Sequence, residues 1–422
     1  MPRSCTEHPY GTRTAHGRVR SPCVRSFGNG KVQPPRAFLK HLVVSCGLAS
    51  SLELRRFVRA ISRPSRHSIR INRRKAESFD SFRQAAEPVP WFSDAFFVSE
   101  QDVGTSLPHL VGEVYSQEPT SMLPAIVMAK ALESVADPLV LDLCAAPGSK
   151  TTLLTLLLAE SAMIVANEPS DSRRRVLRTN LIRAGATNFL VTKADGRDLR
   201  GKECFDAVLA DVPCSAEGNV RRYPENLASW STDSMGNRES LADLQMQLVE
   251  SAWSALRPGG VLVYSTCTLN SLENEEVCDY LLRKDATPLP TTDLAGLGPS
   301  EGPTALRVWP QSFDTEGFFL AAFRKAGTHS AAEKRRPPSR AVPSNIKELV
   351  ARWPQLQPYG NRLVQQENAI VLMPDRDTLP LDLYNLAEVV GIPVLQCDDD
   401  GQYHLTDEAI LLEGRALSNR DD

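Results

Sequence analysis

Two cysteines in this 422-residue sequence are flanked as reactive groups would be. Cys214 ends the segment FDAVLADVPCS and Cys267 lies in VLVYSTCT, and in both an apolar run gives way to small polar residues. A buried cysteine is ordinarily inert core. These two fall past the apolar part of their segments, where a cleft should lie, and a thiolate there can attack an electron-poor ring carbon. Cys144, Cys204, Cys278 and Cys397 read as core or loop positions. Four acids also close successive apolar runs: Asp142, Glu168, Asp195 and Asp211. Each alone reads as a cap or a solvated loop residue; together they read as the rim of a pocket. After Asp142 comes Cys144-Ala145-Ala146-Pro147-Gly148-Ser149-Lys150, a small-residue loop. Its glycine lets backbone approach a ligand, and the helix start beyond it offers free N–H groups to an anion. The spacing fits neither GxxxxGK[ST] nor GxGxxG, and a tight turn with no ligand is the bland alternative.

Such residues need a sheet to bring them together, and the sequence supplies one. Leu139–Asp142 reads as a buried strand, followed by a leucine-rich helix with Thr151 and Thr152 as hydroxyl caps at its start. Met163–Ser170 is a second strand, SRRRVLRTNLIRAGA an amphipathic helix, and NFLVTKAD a third strand ending at Asp195. Phe205–Ser215 is a fourth strand, and LADLQMQLVESAWSALRPGG a long helix stopped by Pro258, Gly259 and Gly260. VLVYSTCT, the acidic helix SLENEEVCDYLL, RVWP and Gly317–Lys325 complete the alternation. The fold class is α/β, a Rossmann-like, doubly wound and mostly parallel sheet that binds ligands at its carboxyl edge. An acid after the second strand of such a sheet accepts from a ribose. Asp195 could accept from an adenine amino group. With a helix start for a carboxylate, the set suits an amino-acid nucleoside cofactor, S-adenosylmethionine.

Composition frames this unit. No apolar run is long enough to cross a membrane. The nine cysteines form neither CxxC pairs nor histidine-flanked sets, which argues against a metal site and a disulfide framework and for a reducing compartment. Up to Pro88 there are 18 Lys+Arg against 5 Asp+Glu, and over the remainder 30 against 46. A basic segment on an acidic body suits a phosphate-bearing partner, with a plain basic tail as the alternative. Residues 1–36 read as a disordered basic leader, an organelle transit peptide or a mis-assigned start. From Ala37, FLKHLVVSCGLASSLELRRFVRAI is helical and RHSIRIN a half-buried strand; Arg63, Arg66, Arg70, Arg73 and Arg74 would form a phosphate-binding patch if they share one face. The expected division is 1–36 leader, 37–115 N-terminal region, 116–325 catalytic unit, 326–343 linker and 344–422 a small α+β appendage. The expected location is the cytoplasm, or a mitochondrion or plastid if the leader is a transit peptide.

LDLCAAPGSKT, NEPS, KADGRD, DVPCS and YSTCTLNSLENE together resemble the Sun-type RNA (cytosine-5)-methyltransferases. The resemblance runs from about Ala37 through Lys325. PSRHSIRIN, YSQEPTSMLP and the extra C-terminal segment are most similar to the branch that modifies bacterial small-subunit ribosomal RNA, methyltransferase F. The resemblance implies that Cys267 is the nucleophile that adds to C6 of a flipped cytosine. Asp211 would bond the N3/N4 edge of the ring, and Cys214 would help to remove the C5 proton. Lys150 would be a polar helper, or a phosphate or carboxylate contact. S-adenosylmethionine would rest on residues 144–150, Glu168, Asp195 and Asp211. The implied partner is RNA, small-subunit ribosomal RNA or the subunit first and transfer RNA as alternative; the protein would be a monomer without metal, the N-terminal region would bind RNA, and the appendage would be PUA-like. A DNA enzyme would need only the PC cysteine, and an amino-directed enzyme would carry NPPY or DPPY. A non-catalytic RNA-binding or assembly factor is the remaining rival, and every matched position here is intact.

Overall fold

A computed structural model describes residues 33–413 except 49, 77–85, 100–102, 200–202, 231–234, 285, 298–304, 329–345, 347, 349–350, 375–386, 390 and 399. Most of the leader and of the expected linker lies outside the described residues.

The first folded unit has two helices, α1 (Arg36–Ser45) and α2 (Ser51–Ile61), ahead of a small sheet. Ser50 and Glu53 close a capping box at the start of α2, each satisfying a backbone N–H that the helix leaves free. The strands β1 (His67–Ile71), β2 (Glu87–Val89), β3 (Phe92–Val98) and β4 (Val114–Ser116) pair antiparallel in the order β2-β3-β1-β4. Then α3 (Leu123–Ala131) leads into the catalytic unit.

That unit contains β5 (Leu139–Asp142), α4 (Ser149–Leu157), β6 (Met163–Asn167), α5 (Asp171–Arg183), β7 (Phe189–Thr192) and β8 (Phe205–Asp211). It continues through α6 (Met235–Ala255), β9 (Leu256–Thr266), α7 (Glu275–Leu282), β10 (Thr287–Pro288), β11 (Ala305–Val308) and β12 (Phe318–Arg324). Strands β9-β8-β5-β6-β7 run parallel in that order, and β12 pairs antiparallel to β9. The order reverses at β5, so the crevice of a doubly wound sheet opens there. Both faces are covered, which is why the strands read as unbroken apolar runs. Leu139 and Leu141 face a core shared with Val249 and Trp253 of α6, while Val140 faces Leu123 of α3 and Leu153 of α4.

The C-terminal segment is less detached than an appendage on a linker. Strands β13 (Leu363–Gln366), β14 (Ala369–Leu372), β16 (Ile392–Cys397) and β17 (Tyr403–Leu405) form an antiparallel sheet, and β15 (Ala387–Val389) instead pairs with β7 at the edge of the central sheet. With α8 (Asp407–Glu413) it shares one core with α5, where Ile370, Leu372, Val394 and Leu412 pack among Leu177, Leu181 and Ile182.

Three local expectations change. Thr151 and Thr152 do not cap α4: Gly148 occupies that place, and both threonines lie buried inside the first turns. Pro258, Gly259 and Gly260 do not follow the helix as a free stop but fall within β9, which begins directly after Ala255. The arginines do not share an open face. Arg70 is buried and donates to Gln117 Oε1 at 2.7 Å and to Thr152 Oγ1; Arg66 pairs with Glu87, Arg73 with Asp94, and Arg74 donates to Thr155 O. Four of the five thus bind protein: Arg70 on β1 and Arg74 just after it clasp α4, while Arg66 and Arg73 hold acids of β2 and β3.

Candidate active site

The loop after β5 is held from three directions. Gly148 sits at φ +105°, and a side chain there would bring its Cβ to 3.0 Å from Leu177 Cδ1 of α5. Only glycine fits both the backbone and the gap. From α5, Arg173 donates to Ala146 O at 2.9 Å and Asn180 to Pro147 O at 2.8 Å. From β1, Arg70 reaches Ser149 O at 3.4 Å, and burial draws its pKa down to about 10, still charged at neutral pH. Asn167, which ends β6 fully buried, donates to Leu143 O and Ala194 O and accepts from Thr192 Oγ1 and Ala194 N. It thereby ties three strand ends together. A polar residue closing the apolar run MIVAN was its signal in the sequence.

Asp142 is buried and accepts from Thr151 Oγ1 at 2.7 Å through Oδ2, while its Oδ1 meets no hydrogen-bond partner among the described residues. Burial raises its pKa to about 7, and the Asp211 charge adds to the rise against the Thr151 bond. Glu168 is buried, accepts from Ser170 N at 2.9 Å and pairs with Arg173 at 3.2 Å. Asp195 stands apart. It lies beyond the end of β7 and its carboxylate is held by Arg197 Nε at 2.9 Å and by the Arg197 N–H at 3.0 Å, contacts that keep its pKa low. These features fit an amino-acid nucleoside: a glycine cradle at a helix start, an acid at the second strand end and an orphaned buried oxygen.

The other half of the cleft carries the thiols. Cys214 Sγ lies 3.2 Å from Cys267 Sγ, and both are free. The contact with Cys267, and then burial, push the Cys214 thiol well above its usual pKa. Asp211 accepts from Lys150 Nζ at 2.6 Å and from Ser265 Oγ at 2.8 Å. Burial opposes the Lys150 charge, but the Asp211 carboxylate outweighs it and holds the ammonium above its ordinary pKa. Cys267, Asp211 and Lys150 open together into a cavity of about 200 Å³ that Tyr223 and Phe318 also line.

A network that was not evident from the sequence holds both cysteine segments. Glu273, fully buried, accepts from Ser215 N at 2.9 Å, Gln245 Nε2 at 2.8 Å and Asn270 Nδ2 at 2.6 Å. Glu217, also buried, accepts from Thr268 Oγ1 at 2.9 Å and from Trp230; burial, then Glu273, raises its pKa. Gly218 donates to Cys267 O at 2.9 Å, and a Cβ on it would come 2.1 Å from Gly317 O. Glu273 and Asn270 stand inside a sequence motif and Glu217 just beyond another, yet the bonds that join the two cysteine segments, Glu273 to Ser215 and Glu217 to Thr268, span more than 50 positions.

A doubly wound sheet with a glycine loop at its switch point and two thiols on neighbouring strand ends is the frame of a Rossmann-type methyltransferase. Residues 129–324 match the family of 16S rRNA methyltransferase RsmB/F, and residues 35–119 the N-terminal domain of 16S rRNA methyltransferase RsmF. The chain is 41% identical over 309 residues to a ribosomal RNA small subunit methyltransferase F of Aeromonas hydrophila, a match over 69% of this chain and 64% of that protein. To the protein of the same name from Shewanella baltica it is 39% identical over 78% of this chain and 70% of the relative. The chain thus spans about two thirds of the length of these relatives. The solved structure of a methyltransferase homolog protein from Pyrococcus horikoshii superposes with a TM-score of 0.52 at 28% identity, covering 69% of this chain and 99% of that one. The chain belongs to the RsmB/F family. Among the described residues, no helix is long and apolar enough to cross a membrane.

Proposed function

We propose that this chain methylates C5 of a cytosine in small-subunit ribosomal RNA, with Cys267 as nucleophile. One observation carries the reading: the Cys267 thiol, the Asp211 carboxylate and the Lys150 ammonium face one cavity, with a second thiol 3.2 Å from the first. S-adenosylmethionine, held on residues 144–150 with Glu168 at the ribose, would supply an electrophilic methyl group. Cys267 Sγ bonds to C6 of the cytosine, which makes C5 nucleophilic. Asp211, fixed by Lys150 and Ser265, accepts from the N4 amino group at the N3/N4 edge, and the Lys150 ammonium paired with it offsets the negative charge that the added thiolate pushes into the ring. After C5 is methylated its proton must leave, and the electron pair left behind expels Cys267 Sγ from C6.

The free enzyme keeps Cys214 protonated, chiefly through its contact with Cys267. Once Cys267 becomes a thioether, that contact no longer favours the proton on Cys214. The largest of the causes that raise the Cys214 pKa is then gone, which eases loss of its proton to solvent before it acts as the base for elimination. The small N-terminal sheet and the C-terminal sheet are proposed to hold the RNA around the cleft.

Bisulfite sequencing of small-subunit ribosomal RNA, from cells with and without this chain, tests the assignment. One protected cytosine that disappears with the gene and returns with it is the expected result. An unchanged ribosomal pattern beside a changed transfer-RNA pattern would overturn the substrate.

A further inference from the structure

Four arginines stand exposed on and just after the helix that packs against the two segments lining the cavity. α2 exposes Arg55, Arg56 and Arg59, and Arg63 follows it, also exposed. Their spacings of three and four place them along one side of the helix and its extension. None of their guanidinium groups has a hydrogen-bond or ion-pair partner among the described residues. The single acid of α2, Glu53, is occupied at the helix start with Ser50.

The opposite side of α2 fixes where this surface stands. Phe57 and Ile61 pack with Val220 and Leu269, which lie two residues from Arg222 and from Cys267. Buried Arg221 donates to Arg63 O at 3.3 Å, to Pro64 O and to Thr315 O at 2.9 Å, and pairs with Asp314 at 2.9 Å. The end of the arginine row is thereby pinned to the segment that presents Arg222 and Tyr223 to the cavity. Both are exposed, Tyr223 by 47%.

We infer that this surface is a track for the RNA backbone: phosphates of the entering strand lie on Arg55, Arg56, Arg59 and Arg63, Arg222 holds the strand at the flipped nucleotide, and the Tyr223 ring stacks on a neighbouring base. The inference rests on the RNA substrate proposed above. Guanidinium forks suit phosphates, and an exposed ring accepts any base face, so the track holds the strand without reading sequence. Holding both sides of one nucleotide offsets the cost of taking it out of its stack.

The test uses the full chain and purified small-subunit ribosomal RNA, with binding measured across a salt series. Each lost phosphate contact lowers the log–log slope by about 0.7–0.9, so Arg55→Gln with Arg59→Gln should flatten it by about 1.4–1.8. Arg283→Gln, an exposed arginine after α7, is the charge control and should leave the slope in place. Tyr223→Ala should raise KM for RNA roughly tenfold with cofactor affinity unchanged, and Tyr223→Phe should restore it, because stacking needs only the ring. An unchanged slope in the double variant, an equal loss per charge in Arg283→Gln, or failure of phenylalanine to rescue would overturn the track. Methyl incorporation by the wild type is scored in parallel. Incorporation with an unaltered slope in the variant removes the track alone, whereas a flattened slope in the variant beside a wild type that binds but never methylates RNA removes the catalytic reading alone. A wild type that does not bind RNA removes both.

Discussion

The half of the cleft after β5 is built from backbone, braced by side chains that reach it from α5 and β1, whereas the half around the two thiols hangs on two buried glutamates. The first half is contiguous: seven residues turn around Gly148, and the bonds that Arg173, Asn180 and Arg70 make to that loop all end on main-chain carbonyls. The second joins residues 213–218 to 264–274 through Glu217, Glu273 and Asn270, with almost every polar atom spoken for. A scaffold of the first kind loses little when one brace goes. One of the second kind fails together, since removing a single acceptor strands several buried donors.

Cys267→Ala separates the halves most sharply. Turnover should fall on the order of a thousandfold or more, the scale on which loss of a covalent nucleophile acts, while cofactor affinity stays at the wild-type value. Methylation by this variant at near the wild-type rate would remove Cys267 from its role. Cys214→Ala should allow the first covalent step and block the last, accumulating an RNA-linked protein that survives denaturant and is absent from the double cysteine variant. The same thiol pair gives a pH test. A raised pKa means less thiolate, so alkylation should reach Cys214 only well above pH 8.5, the ordinary thiol value. Peptide mass mapping across pH reads that onset.

Next in size is Glu273→Ala. Three donors lose their acceptor, and at about 1–3 kcal/mol for each buried donor left unpaired the fold should lose roughly 3 kcal/mol or more, with turnover falling and cofactor affinity held in the protein that remains folded. A denaturant titration beside a cofactor titration measures both. Smallest is Arg70→Met, which removes one brace of the backbone half; cofactor Kd should rise by about tenfold, the low end of what one hydrogen bond to a charged group contributes. Loss of cofactor binding altogether would show that the loop has no second support.

The sequence makes the first half legible and the second only in outline. Strand, glycine loop and helix are neighbours along the chain, so the β5–α4 unit reads directly from its pattern. The thiols were legible because each ends an apolar run, but Glu217 and Glu273 differ in no local way from capping acids. Thr151 and Thr152 misled for the opposite reason: local propensity favours hydroxyl residues as caps, and here a left-handed glycine has taken that place. The arginine cluster misled because charge in a sequence carries no sign of what faces it. Arg70 stands on a strand whose outer side is closed by α4, while four arginines whose guanidinium groups have no partner among the described residues stand on α2 and just after it, where the sequence showed only helical spacing.

The pairing of β15 with β7 has a consequence outside catalysis. Ala387 and Val389 cover the last parallel strand of the central sheet, at Thr192 and Val191. A protein shortened after Lys325 would keep every residue assigned here to chemistry and would still present that row of main-chain groups to solvent, a template on which another copy can add a strand. The C-terminal segment therefore also works as a hem: it finishes an edge that would otherwise fray into aggregates, whatever else it binds.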